Sequence, residues 1–339
     1  MAISKIAKLT LAAGENGLRC GVLDKAGGHV YFLCHTSPGK VVKIRLSDFT
    51  KITTLAFATG ENEPRAAVVD SVNGFLYVCC YTSPGKVVKI RLSDFTAVGT
   101  LTFPLAKDNP WSLVVNPDAG YLYAFCNDLE GAVVRISLDS FTIYDYLPFS
   151  GVGQPHYDTA RIDLANGFAY CTTGSEGRIV KVRLSTFSVV GSVLPASSLD
   201  NVSGEIDLMN GYYFHGTGVP QSKISRVILS SFLSDAFITL LTGESYVYAF
   251  CVNGSSKLLY AFCNVLPGKV VRVDISTFTR KDVFTMAAGD NYPLTAVIDE
   301  AAQNLYVGTD TSPGTVIKLF DDDIVSSSIA QHLPVLGIG

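Results

Sequence analysis

The sequence predicts an all-β ring of seven four-stranded antiparallel sheets, and three observations carry that prediction. First, the segment TSPGKVVKIRLSDFT at 36–50 returns unchanged at 82–96, with weaker copies at 265–279 and 311–323. Second, an Asp or Asn recurs at Asp24, Asp70, Asn116, Asp163, Asp207, Asn253 and Asp299, at intervals of 44 to 47 residues. Third, an aromatic follows each marker seven residues later, at Tyr31, Tyr77, Tyr123, Tyr170, Phe214, Tyr260 and Tyr306.

One unit, 65–110, justifies the elements in order. RAAVVD is a short apolar run and makes strand a. SVNG is a turn, and FLYVCCYT is strand b. SPGK closes a tight hairpin, with Pro fixing φ and Gly expected to supply a positive φ. VVKIRL is strand c, SDFT turns again, and AVGTLTF is strand d. Strand c carries one basic residue per unit: Lys43, Lys89, Arg135, Lys181, Arg226, Arg272 and Lys318. The turn after it carries Phe49, Phe95, Phe141, Phe187, Phe232 and Phe278, with Ile324 in the last copy. Four short strands repeated every ~45 residues give the signature of a β-propeller blade. One such sheet cannot bury both faces, and seven around an axis can.

The blades fall near 18–64, 65–110, 111–157, 158–200, 201–245, 246–292 and 293–325. The seventh lacks a strand d of its own. KIAKLTLAAGEN at 5–16 aligns without gaps on KITTLAFATGEN at 51–62, so residues 1–17 are expected to close blade seven and remove its open edge. The tail 326–339 competes for the same slot. It is expected to pack outside, to act as a linker, or to pair with another molecule.

The repeat plan, AAVVDSVNGFLYV followed by SPGKVVKIRL in blade two, resembles the NHL and YVTN-type seven-bladed propellers over nearly the whole chain. That resemblance implies a fold shared by binding platforms, scaffolds and lactonase-like enzymes, and so leaves activity open.

Composition narrows the classes. Of 339 residues, 48% are hydrophobic and 17% charged, enough for a sizeable core. A net charge of −4 with no basic run argues against nucleic acid. No apolar run approaches the ~20 residues of a membrane span. The eight Cys show no CxxC spacing. They read as buried thiols, which with no signal peptide favours the cytoplasm, secretion being the alternative. Cys20 with Cys34 and Cys251 with Cys263 are the pairs that cross-strand geometry would allow to bond.

Three sets of site candidates sit at the face shared by the d–a and b–c loops, called the top here. Acidic dyads precede strand a, with Glu61, Asp108, Asp200 and Asp290 the candidate ligands of a hard cation such as Ca²⁺ at the channel mouth. The alternative is that each acid caps its own loop. Next, the first residues of strand a differ between blades: Arg19, Arg65, Trp111, Asp158 and Tyr248, with His156 and Tyr157 alongside. An aromatic surface with guanidinium groups could hold a carboxylate, a sugar or a peptide side chain; the alternative is a packed plug. Last, Arg161 and Glu205 replace the Val of other blades and are expected to form a buried ion pair, whose disruption would cost about 3–5 kcal/mol. The strand-c cations read as structural, with the marker Asp as partner. The hairpin lysines Lys40, Lys86 and Lys269 read as exposed.

No His lies in a GxSxG or HExxH context. The leading reading is a non-enzymatic module binding protein, peptide or glycan at its top face. One alternative is a divalent-cation-dependent, lactonase-like hydrolase using the acidic dyads and His156. The other is a self-assembling fibre protein using a terminal strand.

Overall fold

The repeat closes into a ring. In the computed structural model, which describes residues 3–104, 107–127, 131–149, 151, 160–173, 177–195 and 201–324, the strands form seven separate four-stranded antiparallel sheets. The chain is a seven-bladed β-propeller. Blade one is typical, with strand a at Leu18–Asp24, b at His29–Cys34, c at Lys40–Arg45 and d at Lys51–Ala56. Strand a begins one residue earlier than expected in blades two and three, at Pro64 and Pro110, and blade four keeps only Arg161–Asp163 of it.

The contest for the last slot goes to the N-terminal segment. Ser4–Thr10 pairs with Thr315–Phe320 and completes blade seven. The tail 326–339 lies outside the described residues.

The marker residue is a turn builder. In all seven blades its side-chain oxygen accepts the backbone N–H three residues on, at 2.6–3.4 Å. An Asx turn of this kind needs Asp or Asn and nothing larger. The other repeated positions bolt blades together. Phe95 of blade two stacks on Tyr31 of blade one at 5.5 Å, and Phe49 of blade one lies 5.9 Å from Tyr306 of blade seven. Phe141, Phe187, Phe232 and Phe278 make the same contact around the ring. All six phenylalanines hold φ between 45° and 55°, a conformation costing roughly 1–2 kcal/mol for an L-residue. Burial of a ring across the seam offsets it.

The strand-c cation enters the same bolt. Lys43 lies over both Tyr31 and Phe95, and Lys89, Lys181 and Lys318 repeat this arrangement. Its principal neighbours are thus two rings, where the sequence had suggested the marker Asp.

The hairpin needs its Gly for a different reason from the expected one. The Ser37–Pro38, Ser83–Pro84, Leu266–Pro267 and Ser312–Pro313 bonds are cis, and the following glycines are not among the positive-φ residues. A Cβ on Gly39 would meet Pro64 Cδ at 2.7 Å, Phe57 Cδ2 at 2.9 Å and the Glu61 carbonyl at 3.1 Å. The hairpin is pressed against the loop of the next blade, and Gly85, Gly268 and Gly314 are equally hemmed in. Gly39→Ala is therefore expected to cost about 1–3 kcal/mol through overpacking. An unchanged urea midpoint would show that the two segments can move apart freely.

The hairpin lysines are half-buried. Lys40 donates to the Gly14 carbonyl at 2.7 Å and Lys86 to Gly60 at 2.9 Å. The cysteines form no disulfide, and all eight are thiols. Burial pushes Cys34 and Cys80 up to about 12. No helix among the described residues is long and apolar enough to cross a membrane.

Candidate functional site at the channel mouth

Strand a carries a β-bulge near its start in six blades. In blade one Leu18 pairs with Cys34 and Cys20 with Leu33, so Arg19 is the extra residue. Arg65, Trp111, Tyr248 and Leu294 are skipped in the same way. A bulged residue leaves the ladder and its side chain can be re-aimed. The position that varies between blades is thus the one freed from sheet geometry, at the upper end of the central channel.

Loops complete the rim. Glu63, Asn109, Tyr246 and Tyr292 precede strand a with φ of 50–56°. The Glu63 N–H donates to the Thr36 carbonyl of the preceding blade at 2.9 Å, and its own carbonyl accepts from Tyr81 N–H at 3.0 Å. The same lashing recurs at Tyr292, between Val265 and Asp310. Blade-to-blade backbone bonds therefore fix the rim side chains.

Three groups stand there. Arg65 lies 4.8 Å from the Tyr81 ring and 4.3 Å from Trp111, whose rings meet edge-on at 5.0 Å. Trp111 is only 8% exposed. Its face is covered by Arg65, so the expected aromatic surface is a filled stack. Arg19 faces Asp310 at 3.7 Å, and His35 Nε2 faces Glu63 at 3.3 Å. Burial lowers the His35 pKa, and the positive charges of Arg65 and Arg19 lower it further against the pull of Glu63 and Asp310. His156, Tyr157, Asp158 and Asp200 lie outside the described residues.

The acidic residues cap their own loops and reach outward to strand d of the next blade. Glu61 accepts the Ala58 N–H at 2.9 Å and the Thr100 hydroxyl at 2.5 Å. Glu15 accepts Ala12 N–H, Lys51 and Thr54, and Glu244 accepts Leu241 N–H and Arg280. Asp290 is bound by Lys5 at 2.5 Å and Lys8 at 2.7 Å. In register this slot lies nine residues before the marker, which puts Lys107 rather than Asp108 there in blade three. Lys107 Nζ sits 5.1 Å from the Tyr146 ring. Glu61 and Asp290 thus tie loops to outer strands.

Below the rim the seven inner strands enclose a cavity of about 500 Å³. Arg19, Tyr248 and Leu294 border its upper part, small residues such as Ala66 and Ser203 its middle, and aliphatic residues such as Val69 and Ile298 its lower part. The expected ion pair is present. Arg161 Nε meets Glu205 Oε1 at 2.9 Å and Nη2 meets Oε2 at 3.2 Å. It is less buried than expected, with 29% and 19% of the two side chains exposed, because both border the cavity. Glu205→Ala is therefore expected to cost about 1–3 kcal/mol, below the figure for a dry pair. Matched urea midpoints of the variant and the parent would refute a stabilising pair.

No family model and no curated protein matches this chain. Among solved structures it is similar to Kuenenia stuttgartiensis hydrazine synthase, with a TM-score of 0.76 at 12% identity over 91% of this chain and 96% of that one. The likeness is one of fold. It supports the seven-bladed ring and carries no site residue across.

Sequence reasoning found Arg19, Arg65, Trp111 and Tyr248 and missed His35, Glu63, Tyr81 and Asp310. A signal was available. The position eleven past each marker reads His35, Tyr81, Asn127, Asn264 and Asp310 in five blades, as variable as the bulge itself.

Proposed function

We propose that this chain is a non-catalytic binding propeller with an NHL/YVTN-like repeat, whose top-face rim takes a peptide or glycan. The observation that carries this reading is the concentration of blade-to-blade differences on one rim. Turn and bolt positions repeat around the ring, while bulge and loop positions diverge, and Arg19, Arg65, Glu63 and Asp310 among them are partly open to solvent. Glu63, Asp310 and Tyr292 are the most exposed of them. Carboxylates, guanidinium groups and the exposed Tyr292 ring offer acceptors, donors and a stacking surface, the set that peptide backbones and sugars use.

Peptide and glycan arrays followed by titration test this. Trp111 is the only tryptophan and sits in the rim stack, so its emission reports binding directly. The expected result is a saturable ligand whose affinity falls about tenfold or more in Arg65→Ala and in Glu63→Gln with Asp310→Asn. A ligand indifferent to all three changes would place binding elsewhere. Turnover of ester or lactone substrates by the metal-loaded protein would favour an enzyme instead.

A further inference from the structure

The cavity beneath the rim has its own chemistry. Five of the seven inner strands have an uncharged residue at this level, namely Val22, Val68, Val114, Cys251 and Val297. Blades four and five place Arg161 and Glu205 there instead, side by side. An ion pair set in an apolar wall gains the ring little over the valines it replaces, since desolvation offsets the attraction. Stability therefore does not account for it.

The pair is held rigidly. Arg161 Nη1 donates to the Ala160 carbonyl at 2.9 Å, and Glu205 Oε1 also accepts the Ile206 N–H at 2.9 Å. Both side chains line the cavity. They bring one positive and one negative charge next to each other at its wall. Apart from Arg19 and Tyr248 at its upper end and Phe250, the rest of the wall is small or aliphatic, and the volume lies within the range of small-molecule sites, about 300–1,000 Å³.

We infer that the lumen binds a small zwitterion with an apolar body, of which an apolar α-amino acid is the simplest member. Its carboxylate lies against Arg161, its ammonium against Glu205, and its side chain along the aliphatic lower wall. A fatty acid would satisfy the arginine and leave its charge against Glu205. An amine would do the reverse. Only a ligand with both charged groups on one carbon, or close to it, matches the pair without leaving a partner opposed.

Calorimetric titration of the whole chain with L-phenylalanine and L-leucine tests this. Both are expected to bind saturably. N-acetyl-L-phenylalanine, phenethylamine and glycine each lack one of the three features and are expected to bind at least about tenfold more weakly. Glu205→Gln removes the anionic half with little change of shape, and Val68→Phe fills the lumen away from the pair; each is expected to weaken L-phenylalanine by a similar factor. The ligand series needs no variant, so misfolding of either leaves the test intact. Absence of saturable binding by both amino acids, equal binding of the amine or the N-acetyl compound, or affinity unchanged in both variants would overturn the inference. No rim partner is present in these titrations, so failure here leaves the rim reading standing, and failure of the rim reading leaves this one.

Discussion

Removal of residues 1–11 is expected to abolish the cooperative fold of the ring. The strand Ser4–Thr10 pairs along the whole of strand c in blade seven, from Ser4 opposite Phe320 to Thr10 opposite Thr315. Ile3 and Leu11 at its ends are buried, each contributing about 1.5–3 kcal/mol. Asp290, 1% exposed, would lose both lysines, and an unpaired buried carboxylate costs about 3–5 kcal/mol. Together these approach the whole stability of an ordinary domain, about 5–15 kcal/mol. Circular dichroism melts and sizing provide the measurement; a truncated chain that stays monomeric and melts as the parent does would exclude the closure role.

Point variants divide that effect. Lys5→Ala with Lys8→Ala strands the carboxylate, whereas Asp290→Ala leaves two lysines that can turn to water, so the first is expected to be the more damaging. Acid should act like the second. Burial raises the Asp290 pKa, but hydrogen bonds and charge from Lys5 and Lys8 outweigh it and hold the group below its ordinary 3.8. A carboxylate depressed in the folded state contributes stability at pH above its unfolded pKa. That contribution is lost as pH falls through the folded pKa. The clasp is thus intact at neutral pH and expected to release below pH of about 4, and a melting profile of the parent against Asp290→Asn would show the difference vanish there.

Arg272→Met is expected to cost about 3–5 kcal/mol. The seam between blades six and seven has Ile324 where every other has Phe, and it replaces the second ring with acids. Arg272, 1% exposed, reaches Asp282 at 2.5 and 2.7 Å, Asp321 at 2.9 Å and Asp323 at 2.7 Å. Asp321 is fully buried and also accepts the Tyr260 hydroxyl at 2.9 Å. Methionine can fill the space but leaves Asp321 charged in a dry seam. Adding Asp321→Asn should recover part of the loss, because the stranded charge is gone. Strictly additive losses in denaturant melts would show that the two residues do not depend on each other.

The fold was legible because its elements repeat. One marker, one aromatic and one hairpin, each recurring at the same spacing, set the number of blades and the strand order within them. The aligned KIAKLTL segment placed the closing strand. The bulge at Arg19 was not legible, since register is a relation between two strands and a single skipped residue leaves no compositional trace. The offset of Asp108 followed from the same cause: dyads were matched by residue type, while the loop register puts Lys107 in the acid's place. Trp111 was found as unusual, but that Arg65 would cover it depended on side-chain direction. Arg161 and Glu205 were paired correctly because equivalent positions in adjacent blades must face each other; their openness to the lumen depended on how wide seven inner strands leave the axis.

The closing strand has a consequence for synthesis. Ser4 is synthesised well before its partner Phe320, with six complete blades between them. A contact so distant in sequence forms late. Until then a growing chain carries a loose, pairing-competent strand, and blade seven of any neighbouring chain offers it a matching berth. The two lysines that meet Asp290 set this strand apart from its near-copy at 51–62, which has only one.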